Sequence, residues 1–321
     1  MQQNIVVRAN RRVFFACCME VRGQRMQYKK GAFTFAEQLA QLEKRGLVVE
    51  DAQLAMLYLE RVGYYRLMGY LYPLRNSGSD DFAIGASFKA AVDSYEFDQK
   101  LRGLVLDAIC HIEVAVRTAV TYDMGHAYGA FAHCDPTSFA FDVQWHATWL
   151  TGVDVEVYRA RETFIEHYKN KYDGFPTVPI WMATEVMSLG SISKMVKGMH
   201  ATNQKTVAAR FGLAAPVFSS FLHAISVVRN ICAHHSRLWN RVLGVRPVLP
   251  RSGAWQNLPL AAPGRIFFML LVIRALLTHT SADRDQWRDQ VSNLLRGILA
   301  DPANQTRIGA PASWENHPLW R

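Results

Sequence analysis

The stretch "LRGLVLDAICHIEVAVRTAV", Leu101–Val120, decides the fold. Leu101, Val105, Ala108, Ile109, Ile112 and Val116 recur at spacings of three and four, so a helix of 3.6 residues per turn gathers them on one side. The pattern runs from about Tyr95 to Tyr122 and is the longest helical signal in the chain. Such a stripe must be buried, and other helices are the surfaces that bury it. Glu113 and Arg117 stand four apart on its edge, at ion-pairing distance along a helix.

Upstream, "TFAEQLAQLEKRGL" predicts a short helix in which Thr34 and Glu37 have capping-box spacing, Phe35, Leu39 and Leu42 form the apolar stripe, and Gly46 closes the end. Asp51 caps a second helix with Leu54, Tyr58 and Val62 at i,i+4 spacing. "YYRLMGYLYPL" follows, and Arg75–Ser87 reads as a loop that includes Ser79–Asp81. Tyr64, Tyr65, Tyr70 and Tyr72, with Arg66 and Arg75, read as packing residues, base stacking being the alternative.

Downstream, one helix is expected around Val153–Tyr172, and a helical segment after Pro179 is expected to break at Gly190, with Trp181 and Met182 in the core. Pro216 starts the next helix. After an irregular connection come two more helices, about Arg265–Thr278 and Asp283–Leu299, and a tail containing Pro and Trp. "IFFMLLVIRALL" (Ile266–Leu277) is too short to span a bilayer and carries Arg274, so it reads as a buried helix. Strand alternation is almost absent. The expected class is all-α, with residues 1–27 as a basic arm (disorder being one reading of it), 28–94 a helical N-terminal subdomain, 95–300 the helical core and 301–321 a tail. Met26 is an alternative start.

The chain has 321 residues, half of them hydrophobic, which is ample for a core. Its net charge of +9 favours a polyanion as partner without singling one out. The five cysteines (Cys17, Cys18, Cys110, Cys134, Cys232) match neither a disulfide framework nor a metal pair, which points to reduced thiols in the cytoplasm. His111, His133, His146 and His167 lack ligand spacing, so neither metal nor cofactor is expected. The absence of a signal peptide or long apolar run argues against a membrane partner.

Chemistry concentrates in "SVVRNICAHHSRLWNR", Ser226–Arg241. On the helix Val217–Cys232, Arg229 shares a face with Phe218, Leu222, Ile225 and Cys232. A guanidinium there needs an anionic partner because it cannot lose its charge. Glu113 is one candidate and a ligand phosphate the other. His234 lies five positions later, about 140° around a straight helix, so the two converge only if the helix ends or bends, or if a second chain supplies one of them. His235, Arg237, Asn240 and Arg241 add donors. An imidazole that moves protons and an arginine that stabilises a phosphorane suit metal-free RNA cleavage. An Arg followed by His after four to six residues also occurs at Arg161/His167 and Arg274/His279, and both read as chance.

Val228–Arg241 resembles the motif of the Abi-like (AbiD/AbiF) abortive-infection family, within the HEPN superfamily. "KKGAFTFAEQLAQLEKRGLVV", "VGYYRLMGYLYPL", "YEFDQKLRGLVLDAICHIEVAVRTAV" and "PIWMATEVMSLGSISKMV" resemble its other segments in the expected order, from Lys29 to about Trp239. The resemblance implies a four-helix HEPN-type core with a helical N-terminal extension and additional C-terminal helices. It implies catalysis by Arg229 and His234, with Asn230 fixing the motif or donating to the phosphate; beside them His235, Arg237, Asn240 and Arg241 read as supporting or phosphate-binding donors, and Glu113 and Arg117 as residues that orient the motif or contact RNA, an ordinary helix-surface pair being the equal alternative. It further implies a homodimer that pairs two motifs, RNA as substrate, a role as a toxin or in phage defence, and a small RNA or protein antitoxin as a possible partner. The rival is a non-catalytic RNA-binding or regulatory module.

Overall fold

A computed structural model of the chain describes residues 31–250, 255 and 261–321. The N-terminal arm, with Cys17, Cys18 and Met26, lies outside the described residues. Among those described, thirteen α-helices form and no β-strand, only three isolated backbone bridges, so the all-α expectation holds. In chain order the helices are α1 (Phe35–Lys44), α2 (Ala52–Arg61), α3 (Tyr64–Leu71), α4 (Phe88–Tyr128), α5 (Val143–Arg159), α6 (Thr163–Lys171) and α7 (Ile180–Val186). There follow α8 (Leu189–Gly198), α9 (Ala201–Ala209), α10 (Ala215–Ala233), α11 (Ile266–Leu277), α12 (Arg284–Leu299) and α13 (Pro302–Ile308).

The axis of the molecule is α4, whose 41 residues make it about 60 Å long. It starts seven residues before the predicted helix, where Ser87 Oγ accepts the Ala90 N–H, and ends six residues beyond it at Gly129, whose φ of +85° a side chain would resist. All six stripe residues from Leu101 to Val116 are at most 1% exposed. Helices α3, α7, α9, α10, α11 and α12 pack against α4, and α8 backs α10. The buried residues form one cluster reaching from Leu39 to Trp320. By length and composition alone α10 would pass as a membrane-crossing helix, but Phe218, Phe221, Leu222 and Ile225 are buried in this cluster. The apolar α11 is likewise buried at every position except Ala275.

The entry caps form as expected. Thr34 and Glu37 close a capping box, and Asp51 accepts the Leu54 N–H at 2.9 Å. Several other expectations need correction. Phe35 is 42% exposed and does not share the burial of Leu39 and Leu42. Helix α2 turns Ala55 and Leu59 fully inward, leaving Leu54, Tyr58 and Val62 half-buried beside them. The helix predicted over Val153–Tyr172 is two, α5 and α6, separated at Ala160–Glu162, where Ala160 is extended and no Gly or Pro marks the break. Gly190 lies inside α8; the chain breaks at Met187–Ser188 instead, because Ser188 caps α8 by accepting the Ser191 N–H. Trp181 is half exposed, not core, while Met182 is partly buried. The tail is packed: Trp320 sits 5.8 Å from Phe267 and 6.0 Å from Trp287 between ring centroids, and its indole N–H donates to Ser292.

Candidate functional site

The segment leaving α10 is held by residues far away in sequence. Helix α10 runs back along α4: Arg210, just before it, pairs with Asp123, and Leu238 and Trp239, just after it, reach Asp98. Its last turn closes with the His234 N–H on the Asn230 carbonyl at 3.0 Å and the Ser236 N–H on the Ile231 carbonyl at 2.9 Å. That closure puts His235 at a φ of +53°, a left-handed conformation usually left to Gly or Asn. Asn230, His234 and His235 are exposed. The segment is therefore open to solvent at the residues proposed to do chemistry.

Arg229 Nε lies 3.8 Å from Glu113 Oε2, and the Arg229 side chain is 38% exposed. The other Glu113 oxygen receives Arg117, whose second amino group donates to the Thr184 carbonyl. Glu113 and Arg117 are almost buried, at 12% and 11%. One carboxylate thus faces two guanidiniums across α4 and α10, and the outer guanidinium opens to solvent. Glu113 is the anion that the sequence required for Arg229, yet the separation and exposure of Arg229 leave its donors available to a ligand. No hydrogen bond joins Arg229 to His234 among the described residues. Helix α10 stays regular to Ala233, so the two side chains leave it on different sides.

The remaining expected donors tie the exit segment down. Arg237 donates to the Gly69 carbonyl of α3 at 2.6 Å, where a Cβ on residue 69 would lie 3.6 Å from Arg237 Cδ. Asn240, at φ +49°, accepts Arg265 through Oδ1 at 3.1 Å, and the exposed Arg241 donates to the Arg237 carbonyl at 3.3 Å. Two roles at this exit were missed in the sequence, that of Arg66, named only beside the tyrosines, and that of Asp98. Arg66 of α3 donates to the His235 carbonyl. Asp98 is fully buried and accepts from the Tyr70 hydroxyl at 2.5 Å, from Arg102, and from the Leu238 and Trp239 N–H groups at 3.2 and 2.6 Å. Its signal was available: Asp98 and Arg102 are four apart and continue the apolar stripe through Leu101 and Val105, and a carboxylate on that face must be paired. The neighbourhood pushes the Tyr70 phenol well above its usual value, first through burial and then through Asp98.

The tyrosines divide. Tyr70 is buried, with its ring edge-on to Tyr95 at 5.6 Å, whereas Tyr65 and Tyr72 are 84% and 69% exposed. Tyr72 carries the Arg75 guanidinium 5.6 Å from its ring centroid. Away from the site, His133 and His146 are buried and linked, His146 Nε2 to the His133 carbonyl at 2.9 Å, and Cys134 Sγ lies 3.4 Å from His133 Nε2. Burial holds the His133 imidazole down at about 4, with His146 adding to the effect. Burial raises the Cys134 thiol to about 11 and the Cys232 thiol to about 12. Among the described residues, no three His, Cys, Asp or Glu side chains are grouped to hold a metal ion.

The chain's likeness to known proteins covers this same assembly. The model of one family, described as Abi-like protein, matches residues 57–240, more than half of the chain and all of the segment from α3 through the exit of α10. No curated protein and no solved structure matches.

Proposed function

The chain belongs to the Abi-like protein family, and we propose that it acts in abortive infection as a HEPN-type endoribonuclease. The observation that carries this reading is the exit of α10. There Arg229, anchored at its base by Glu113 and open at its tip, stands near exposed Asn230, His234 and His235 on a helix end fixed by Asp98 and Arg66. Arg229 would hold the scissile phosphate and stabilise its developing charge. His234 would act as general acid or base, and Asn230 would donate to the phosphate.

In the reaction, the ribose 2′-oxygen attacks phosphorus as its proton passes to one imidazole. The P–O5′ bond then breaks while a second acid protonates the leaving oxygen, giving a 2′,3′-cyclic phosphate and a 5′-hydroxyl. One chain offers one such motif, and its Arg229 and His234 diverge. A homodimer with facing α10 exits would supply the second imidazole. The cytoplasm is the compartment in which such an enzyme meets its RNA.

The second reading, an RNA-binding module without catalysis, draws on the carboxylate that Arg229 already faces. One experiment separates the two: end-labelled RNA incubated with the protein in EDTA. Fragments ending in cyclic phosphate, lost in both Arg229→Ala and His234→Ala, are expected. Salt-sensitive binding with no cleavage would establish the module and reject the nuclease.

A further inference from the structure

We infer that the groove between α1 and α3 is a subsite for unpaired nucleobases flanking the linkage held at the α10 exit; this rests on the RNA reading above. The groove has a volume of about 860 Å³, and Phe33, Phe35, Tyr64, Tyr65, Arg45 and Arg66 line it. No carboxylate lines it among the described residues. Such an aromatic surface is the kind that a soluble protein buries or uses. Here Phe33 and Phe35 are 55% and 42% exposed and Tyr65 is 84% exposed, its ring set edge-on to Tyr64 at 5.9 Å.

Three observations select the occupant. Flat rings beside arginines match bases joined by phosphates, because every base has a face to stack and every linkage a negative charge. Gln38, on the groove wall, donates through Nε2 to the Phe33 carbonyl and leaves a buried Oε1 with no partner among the described residues. Enclosed as it stands, that acceptor comes within reach of the exocyclic amine of a base when the Gln38 amide rotates about its last bond. Finally, the groove is joined to the cleavage motif: Arg66, on its rim, donates to the His235 carbonyl. A strand seated at His234 therefore passes Arg66 as it leaves, with the exposed Tyr65 next to it in the sequence.

The test uses the full chain carrying His234→Ala, so that binding is read without cleavage. Three labelled probes are titrated at fixed salt: a single-stranded RNA, the same strand with abasic sites, and its duplex. The parent is expected to bind the intact single strand about tenfold more tightly than the abasic strand. Tyr65→Ala should remove that preference, and Tyr65→Phe should keep it. Since Tyr65 is so exposed, its loss should leave the thermal midpoint unchanged. If the parent binds RNA with the base preference and Tyr65→Ala retains it, the groove is not the subsite, although the RNA reading stands. If Tyr65→Ala lowers the midpoint and spares RNA affinity, the groove packs against protein, and the inference falls. If the parent binds none of the probes, both readings fall together.

Discussion

Arg229 Nε stands 3.8 Å from Glu113 Oε2, whereas Arg117 holds the opposite oxygen of the same carboxylate in a nearly buried pair. The two arginines therefore carry different loads. Arg117 neutralises Glu113 and completes the Thr184 carbonyl; Arg229 adds charge at the mouth of the site.

That division predicts opposite outcomes for neighbouring substitutions. Arg229→Ala should change unfolding free energy by less than about 1 kcal/mol, as for an exposed ion pair, while abolishing cleavage. Glu113→Ala leaves Arg117 buried beside an empty place and should cost about 3 kcal/mol. Urea unfolding followed by circular dichroism, run beside the RNA assay, reads both quantities. A large stability loss in Arg229→Ala would make the residue structural.

Asp98 supports the exit segment from beneath. Asp98→Ala would leave Arg102 and the Leu238 and Trp239 N–H groups unpaired in the core, a loss of about 3–5 kcal/mol. Asp98→Asn preserves the shape but not the charge and should fall between wild type and Ala. Hydrogen exchange at Leu238 and Trp239 should rise more in both variants than exchange at the middle of α4.

The buried His133 makes stability depend on pH. Its imidazole titrates near 6.5 when the chain is unfolded and at about 4 when folded, so between these values only the unfolded chain takes up the proton. The contribution is fully present above the unfolded value and is lost as pH falls toward the folded one. About 2 kcal/mol should disappear between pH 7 and pH 5 from this group alone. His133→Phe should flatten that part of the profile; an unchanged slope would place the titrating group elsewhere.

Thiol chemistry should follow burial. Cys232 is 1% exposed with its thiol pushed up to about 12, whereas Cys110 is exposed on α4. A brief maleimide pulse at neutral pH, followed by peptide mass mapping, should mark Cys110 and leave Cys232 unmarked until denaturant is added.

Periodicity was a good guide where one mechanism decides an element. The stripe from Leu101 to Val116 predicted α4 because hydrophobic burial alone sets that face, and Thr34, Glu37 and Asp51 announced their caps because each bond is local. It misled where several helices compete for one residue. Trp181 looked like core by residue type, yet α7 is short and turns it outward. The break between α5 and α6 left no mark because no Gly or Pro makes it. At the site, Arg229 and its need for an anion were legible, and Glu113 was named as one partner. The part of Arg66 was not, since it depends on a carbonyl 169 residues away, exposed only by the turn at His235.

Asp98 and Trp239 are separated by 141 residues, and the hydrogen bond between them fixes the turn that carries His234. During synthesis the N-terminal partner emerges long before the other. Until Trp239 has left the ribosome, the Asp98 carboxylate lacks two of its backbone partners, so the turn closes first on its own local bonds and gains its long-range anchor last. A chain cut short before Leu238 keeps Asp98 facing Tyr70 and Arg102 alone, so a C-terminal truncation there loosens a tie that starts on the other side of the molecule.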